Sequence, residues 1–180
     1  MKAIKEMSAG ELAAFISGYL RAHDIDVVLT GGGCVSIYSD NIYVSLDLDF
    51  IDNQFTKRSK IKEILREIGF EEQNRYFRHP ETPFFIEFPA GPLSVGSEPV
   101  KEIVTQKFAT GELKMLSPTD CVKDRLAAFY HWNDLQSLDQ AELVAKRNFV
   151  DLNEVERWST VEGKLKEFQK IKERLMEKEK

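Results

Sequence analysis

Three consecutive glycines at 31–33, two aspartates at 47 and 49, and a lone glutamate at 87 are the residues whose types and spacing suit chemistry. Gly31, Gly32 and Gly33 follow Val27, Val28 and Leu29, a short β-branched run, and precede residues 34–39, which read as a short helix. Backbone N–H groups at such a glycine turn and helix N-terminus reach a phosphate without side-chain obstruction. Asp47 and Asp49 alternate with Leu46, Leu48 and Phe50, and because strand side chains alternate in direction, both carboxylates point to one side. Carboxylates sharing a side hold one or two Mg²⁺ ions, which bridge phosphate oxygens and orient an in-line displacement. Glu87 stands alone in the apolar run Phe84, Phe85, Ile86, Phe88 and supplies a third acid. Together these residues describe a site for metal-bound phosphates.

The elements that position them follow from pattern. Ser8 and Glu11 have capping-box spacing ahead of Leu12, Phe15, Ile16, Tyr19 and Leu20, which predicts a helix ending near His23. Residues 42–51 read as a strand carrying Asp47 and Asp49. A basic amphipathic helix follows over 57–68, with Gly69 as its stop. Residues 75–78 and 84–88 pair as strands around a turn at 79–83, 89–99 form a loop, and 104–116 form a hairpin turned at 110–112. Ser117, Pro118 and Asp120 start a helix running to about Trp132, through an N-cap, a proline at the first helical position and an acid in the first turn. Short helices over 137–147 and 151–158 and a charged helix from Thr160 onward complete the chain, with 177–180 expected to fray. The fold class is therefore α/β (α+β), with 1–116 as an α/β core and 117–180 as a helical portion packed on it.

Composition sets the outer bounds. The 180 residues are 42% apolar, enough for one ordinary globular domain, and 30 acids against 25 bases give a net charge of −5, which disfavours a long basic nucleic-acid groove. Cys34 and Cys121 have neither zinc spacing nor a disulfide framework and suit a reducing, cytoplasmic compartment. No stretch approaches the roughly 18 apolar residues of a membrane span.

Each singled-out residue also has a plain reading. The glycines can be a tight turn and nothing more, and either pair of the three can serve a phosphate. Alternating acids usually line a solvent-facing edge, but Leu46, Leu48, Phe50 and Ile51 around them argue for a central strand whose polar side opens onto a cleft. Arg75, Arg78 and His79 suit contact with a base or acceptor and equally suit a surface hairpin. Lys123 and Arg125 can pair with Asp120 or Asp124 on their own helix. Cys34 reads as a small buried residue and His131 as packing.

Over roughly residues 25–135 the chain resembles the nucleotidyltransferase superfamily with the DNA polymerase β-like fold, and especially its small prokaryotic members related to abortive-infection and toxin–antitoxin nucleotidyltransferases. The matching parts are, in order, Gly31 to Gly33, Asp47 and Asp49 within Ser45-Leu46-Asp47-Leu48-Asp49-Phe50, Glu87 within 84–88, and Lys123-Asp124-Arg125-Leu126-Ala127-Ala128 in the downstream helix. The resemblance implies a minimal nucleotidyltransferase core with a mixed sheet flanked by helices. It implies transfer of a nucleoside monophosphate from an NTP to an acceptor hydroxyl on a protein, a tRNA end or a small molecule, with release of pyrophosphate. Asp47, Asp49 and Glu87 would ligate Mg²⁺, or Mn²⁺ in its place, with Glu87 also as base on the attacking hydroxyl. Gly31, Gly32, Gly33 and Lys123 would bind the triphosphate, and an antitoxin-like protein is an implied partner. Two departures, Gly33 or Cys34 where a serine is usual and Asn41-Ile42-Tyr43-Val44 where an arginine is frequent, favour the alternative of a non-catalytic nucleotide-binding or interaction module.

Overall fold

The structure, a computed structural model, describes residues 2–178, so Met1, Glu179 and Lys180, including part of the terminus expected to fray, lie outside the described residues. A 3-10 turn at Ile4–Glu6 leads into α1 (Ala9–Arg21). The expected capping box opens α1: Glu11 N–H donates to Ser8 Oγ at 3.3 Å and Ser8 N–H to Glu11 Oε2 at 2.8 Å. There follow β1 (Val27–Thr30), α2 (Gly31–Tyr38), β2 (Asp47–Asp52), α3 (Arg58–Glu67), β3 (Glu71–Gln73), β4 (Tyr76–Arg78) and β5 (Phe85–Glu87). A small hairpin, β6 (Ser94–Val95) and β7 (Glu98–Pro99), precedes β8 (Ile103–Phe108) and β9 (Gly111–Leu116). Four helices end the chain: α4 (Pro118–Trp132), α5 (Leu135–Arg147), α6 (Leu152–Val161) and α7 (Leu165–Met176).

Seven strands form one mixed sheet in the order β3-β4-β5-β2-β1-β9-β8, and this α/β arrangement is the fold class expected from sequence. β1 pairs antiparallel with β2 and parallel with β9, while β2 pairs parallel with β5. The registers sort the side chains into two faces. Leu29 opposes Phe50, Leu48 opposes Ile86, and Ile86 opposes Phe77; all five are fully buried and make one face of the sheet apolar core. The alternate residues, Thr30, Asp49, Glu87 and Tyr76, run as a second row across the opposite face and are only partly buried. The period of two that places Leu48 and Phe50 in the core thus places Asp47 and Asp49 at the opening. α4 packs on α2 and β9 and so joins the helical part to the sheet beside that opening.

Several boundaries differ from the sequence reading. The glycines do not precede α2 but form its first turn. β2 begins at Asp47 and not at 42, because Asp40 and Asn41 adopt left-handed backbone (φ 51° and 62°) and the chain turns before it reaches the sheet, leaving Ile42, Val44 and Leu46 exposed. The 89–99 loop contains the β6–β7 hairpin, and β3 adds an unexpected strand beside β4. Thr160 and Val161 belong to α6, and Gly163 at φ 71° separates it from α7. Among the described residues, no helix is long and apolar enough to cross a membrane.

Candidate active site

Asp47 and Asp49 on β2 and Glu87 on β5 each offer a carboxylate oxygen within 4.8 Å of the others. Parallel pairing sets Asp49 directly beside Glu87, and Asp47 lies two residues back on the same face. Ser45 fixes the entry to the strand: its hydroxyl accepts from Asp47 N–H at 3.2 Å and donates to Asp47 C=O at 3.1 Å. Half-burial beside other carboxylates raises the affinity of the two aspartates for protons. Burial, and then the charge of Glu87, push Asp47 up to about 6, with Arg75 and Arg78 acting against the rise. Burial, and then Asp47 and Glu87, push Asp49 up to about 7, with Arg125 partly countering. Asp47 Oδ1 is buried and has no hydrogen-bond partner, and Glu87 is met by Arg75, whose Nε stands 3.3 Å from Oε1. A divalent cation satisfies the orphaned oxygen and relieves the crowding, so the residues present fit a metal.

The three glycines separate into two roles. Gly31 has φ 65°, and a Cβ there would stand 2.5 Å from Asp49 Oδ2, so only glycine permits this approach of the helix to the carboxylate. A Cβ at Gly32 would meet Ser45 Oγ at 2.9 Å. Gly33 instead faces Leu29 and Leu48 on the core side, so of the three Gly31 adjoins Asp49, Gly32 adjoins Ser45, and Gly33 packs on the core. Thr30, the N-cap of α2, makes no side-chain cap; its hydroxyl donates to Asp49 C=O at 3.3 Å. The first-turn N–H groups of α2 therefore receive no hydrogen bond from the cap side chain.

A cavity of about 290 Å³ lies beside Asp49 and Gly31, lined among others by Thr30, Gly31, Asp49, Ser94, Asp124 and Arg125. Arg125 is the cation that α4 brings to this cavity; its guanidinium is steadied by Asp124 (Nε to Oδ2, 3.0 Å) and Gln140 (NH1 to Oε1, 3.4 Å). Lys123, expected from the resemblance to contact phosphate, is not brought to the glycines. It is 4% exposed, bonds Asp120 Oδ1 at 2.7 Å and Glu154 Oε1 at 3.3 Å, and borders a different polar recess. Arg125 and Lys123 are two residues apart on α4, which turns their side chains about 200° from one another and sends them to different recesses. His79 is also placed apart, its ring against Phe70 at 5.1 Å and its Nδ1 accepting from Glu81 N–H. Cys34 is fully buried, its thiol donating to Leu29 C=O at 3.1 Å.

No protein-family model matches the chain, and no curated protein matches it by sequence. Among solved structures, an antigenic nucleotidyltransferase-like protein from Paracoccidioides brasiliensis aligns over 96% of this chain and 94% of its own, with a TM-score of 0.63 at 14% identity. The chain has a nucleotidyltransferase-like fold. Weaker alignments reach the antibiotic-resistance factor ANT(2″)-Ia in solution, with a TM-score of 0.49 and 10% identity over 76% of this chain and 82% of that one. The crystal structure of ANT(2″)-Ia with adenylyl-2″-tobramycin gives 0.46 and 12% over 72% and 83%. On this nucleotidyltransferase-like fold the acids sit on adjacent parallel strands, and the glycine-led helix starts where β1 ends beside them.

Proposed function

We propose that this protein transfers a nucleoside monophosphate from an NTP to an acceptor hydroxyl, with Asp47, Asp49 and Glu87 holding a divalent metal ion. The observation that carries this reading is the uncompensated carboxylate group: three acids share one opening, one buried oxygen of Asp47 has no partner, and an uncapped glycine-led helix terminus faces the same space. When bound, Mg²⁺ would supply charge for the phosphate oxygens and lower the pKa of the attacking hydroxyl. Gly31 and Gly32 N–H groups would take the phosphate tail, with Arg125 supplying a countercharge from α4. The acceptor oxygen would form a bond to the α-phosphorus, the bond from that phosphorus to the β-phosphate oxygen would break, and pyrophosphate would leave carrying the electron pair. Glu87, beside Asp49 on the neighbouring strand, would take the hydroxyl proton.

Arg75 lies on the third acid of the group, and this contact favours a second reading, nucleotide binding without turnover. Its side chain is 67% exposed, so the pair opens at little cost. Two measurements separate the readings. The thermal midpoint with each of the four NTPs, with and without Mg²⁺, should rise for one of them in the wild type and stay flat in Asp47→Ala/Asp49→Ala. Pyrophosphate release with a pool of candidate acceptors should then accompany the rise. A midpoint rise without release selects the binding module, and no rise with any NTP overturns both.

A further inference from the structure

The open face of the sheet continues past Glu87 onto β4, where its chemistry changes from acidic to cationic and aromatic. Register pairing sets Tyr76 beside Glu87 and Arg78 beside Phe85, all on the face that bears Asp47 and Asp49. The Tyr76 and Phe85 rings meet edge to face at 4.7 Å. The Arg78 guanidinium lies 4.6 Å over the Phe85 ring, and that of Arg75 lies 4.8 Å over the Tyr76 ring while its NH2 donates to the Tyr76 hydroxyl. β4 is not an edge strand, since β3 pairs with its outer side, so these arginines are not there to block strand pairing. Each guanidinium lies over an aromatic ring, and both arginines are exposed.

An exposed guanidinium resting on a ring offers a planar group on which a base stacks and an N–H edge that binds a phosphate. The shelf lies on the opposite side of the carboxylates from Gly31 and Arg125, so it borders the position where an acceptor hydroxyl must stand to reach Glu87. A polycationic acceptor would meet Arg75 and Arg78 with like charge. Resting on the reading above, we infer that the acceptor is itself a nucleotide, with its base and phosphate on the Arg75, Tyr76, Arg78 and Phe85 shelf and its hydroxyl at Glu87. A free mononucleotide and the terminal residue of an oligonucleotide share this chemistry.

The test uses a fluorescein-labelled RNA hexamer of mixed sequence, with AMP and spermine as competitors, in Mg²⁺ without NTP, read by fluorescence anisotropy. The hexamer should bind, spermine should not compete through the protein, and Arg78→Glu should weaken binding by about tenfold or more, the scale of one charge-assisted phosphate contact. Arg78→Glu should leave the Mg²⁺–NTP midpoint rise in place, because Arg78 is not among the groups assigned to the triphosphate. Arg78→Lys, which keeps the charge and loses the planar face, should fall between the two and covers the case in which Arg78→Glu unfolds. Displacement by AMP identifies a mononucleotide as sufficient, and binding of the hexamer that AMP does not displace identifies a strand end; both support the inference. No nucleic-acid or AMP binding in a protein that still shows the Mg²⁺–NTP rise overturns the inference and spares the transferase reading. Loss of the rise as well overturns both.

Discussion

Two charged clusters of the molecule are alike in composition and opposite in bookkeeping. On the sheet, Asp47, Asp49 and Glu87 converge with Arg75 ion-paired to Glu87 and an unpartnered buried oxygen on Asp47. Between α4, α6 and β7, Lys123 bonds Asp120 and Glu154, Arg157 pairs with Glu154 at 2.6 Å and also reaches Glu98 across the hairpin, and the signs alternate throughout. The titration behaviour separates them as sharply. The aspartates on the sheet are pushed up to about 6 and 7 by burial and then by neighbouring carboxylates, Glu87 for Asp47 and Asp47 with Glu87 for Asp49, while Glu154 is drawn down to about 2 by its hydrogen bond to Arg157 and by Lys123. A balanced cluster holds elements together; an unbalanced one costs stability in the isolated chain and is relieved only by something that binds. Strong perturbation by like charges in a cleft is therefore the better marker of a site than the mere presence of ionisable residues.

The comparison is broken most directly by removing one charge from each cluster. Asp49→Asn should lower nucleotidyl transfer by about 10³-fold or more, since a metal ligand contributes several kcal/mol to the barrier, while circular dichroism and the thermal midpoint of the metal-free protein stay at or above wild type. Lys123→Met should do the reverse. Stranding Asp120, which is 5% exposed, should cost about 3–5 kcal/mol in urea denaturation, and the surviving folded fraction should keep its Mg²⁺-dependent response to NTP. Transfer lost and stability kept in Lys123→Met would reverse the assignment of the two cations of α4. Gly31→Ala tests the border between stability and site. The left-handed backbone at φ 65° costs roughly 1–2 kcal/mol for an L side chain, and the added methyl displaces Asp49 Oδ2. Gly33→Ala, which faces Leu29 and Leu48, should instead disturb packing and leave the affinity for Mg²⁺, read by calorimetry, near wild type.

Much of this was legible in the residues because the signals are local. Side-chain alternation along Leu48, Asp49 and Phe50 decides which side faces the core without any knowledge of the partner strands. Ser117 and Pro118 start α4 through a cap that needs no tertiary help: Asp120 N–H donates to Ser117 Oγ at 3.1 Å. The failures are non-local. Ile42, Val44 and Leu46 alternate as a strand should, yet the turn at Asp40 and Asn41 carries them clear of the sheet. β6 and β7 are two residues each and carry no period to read. What each of the three glycines faces depends on Asp49, Ser45 and the pair Leu29 and Leu48, and where Lys123 lies depends on Glu154, 31 residues away from it. Both are decided by neighbours that only the folded chain supplies.

The smallest predicted effect is the most specific to the unbalanced cluster, because it needs no acceptor and no NTP. Asp49 has a usual carboxyl value near 3.8 and is raised to about 7 in the fold, so between those values the folded protein binds a proton that the unfolded chain does not. Its contribution to stability is fully present below about pH 4 and is lost as pH rises through about 7. The full shift is an upper bound, and water at the mouth of the cleft screens part of it, leaving about 1–2 kcal/mol between about pH 5 and about 8. Glu154 acts in the opposite sense, adding stability above its unfolded value near 4.5 and losing it toward about 2, so its change falls outside that window. Urea denaturation of wild type and Asp49→Asn in EDTA at both ends of the window cancels the histidines they share. The difference should grow with pH in favour of Asp49→Asn, and saturating Mg²⁺ should remove it by stabilising only the wild type. Parallel pH profiles in EDTA would mean that the aspartate carries no excess charge, and the contrast between the two clusters would fail at its source.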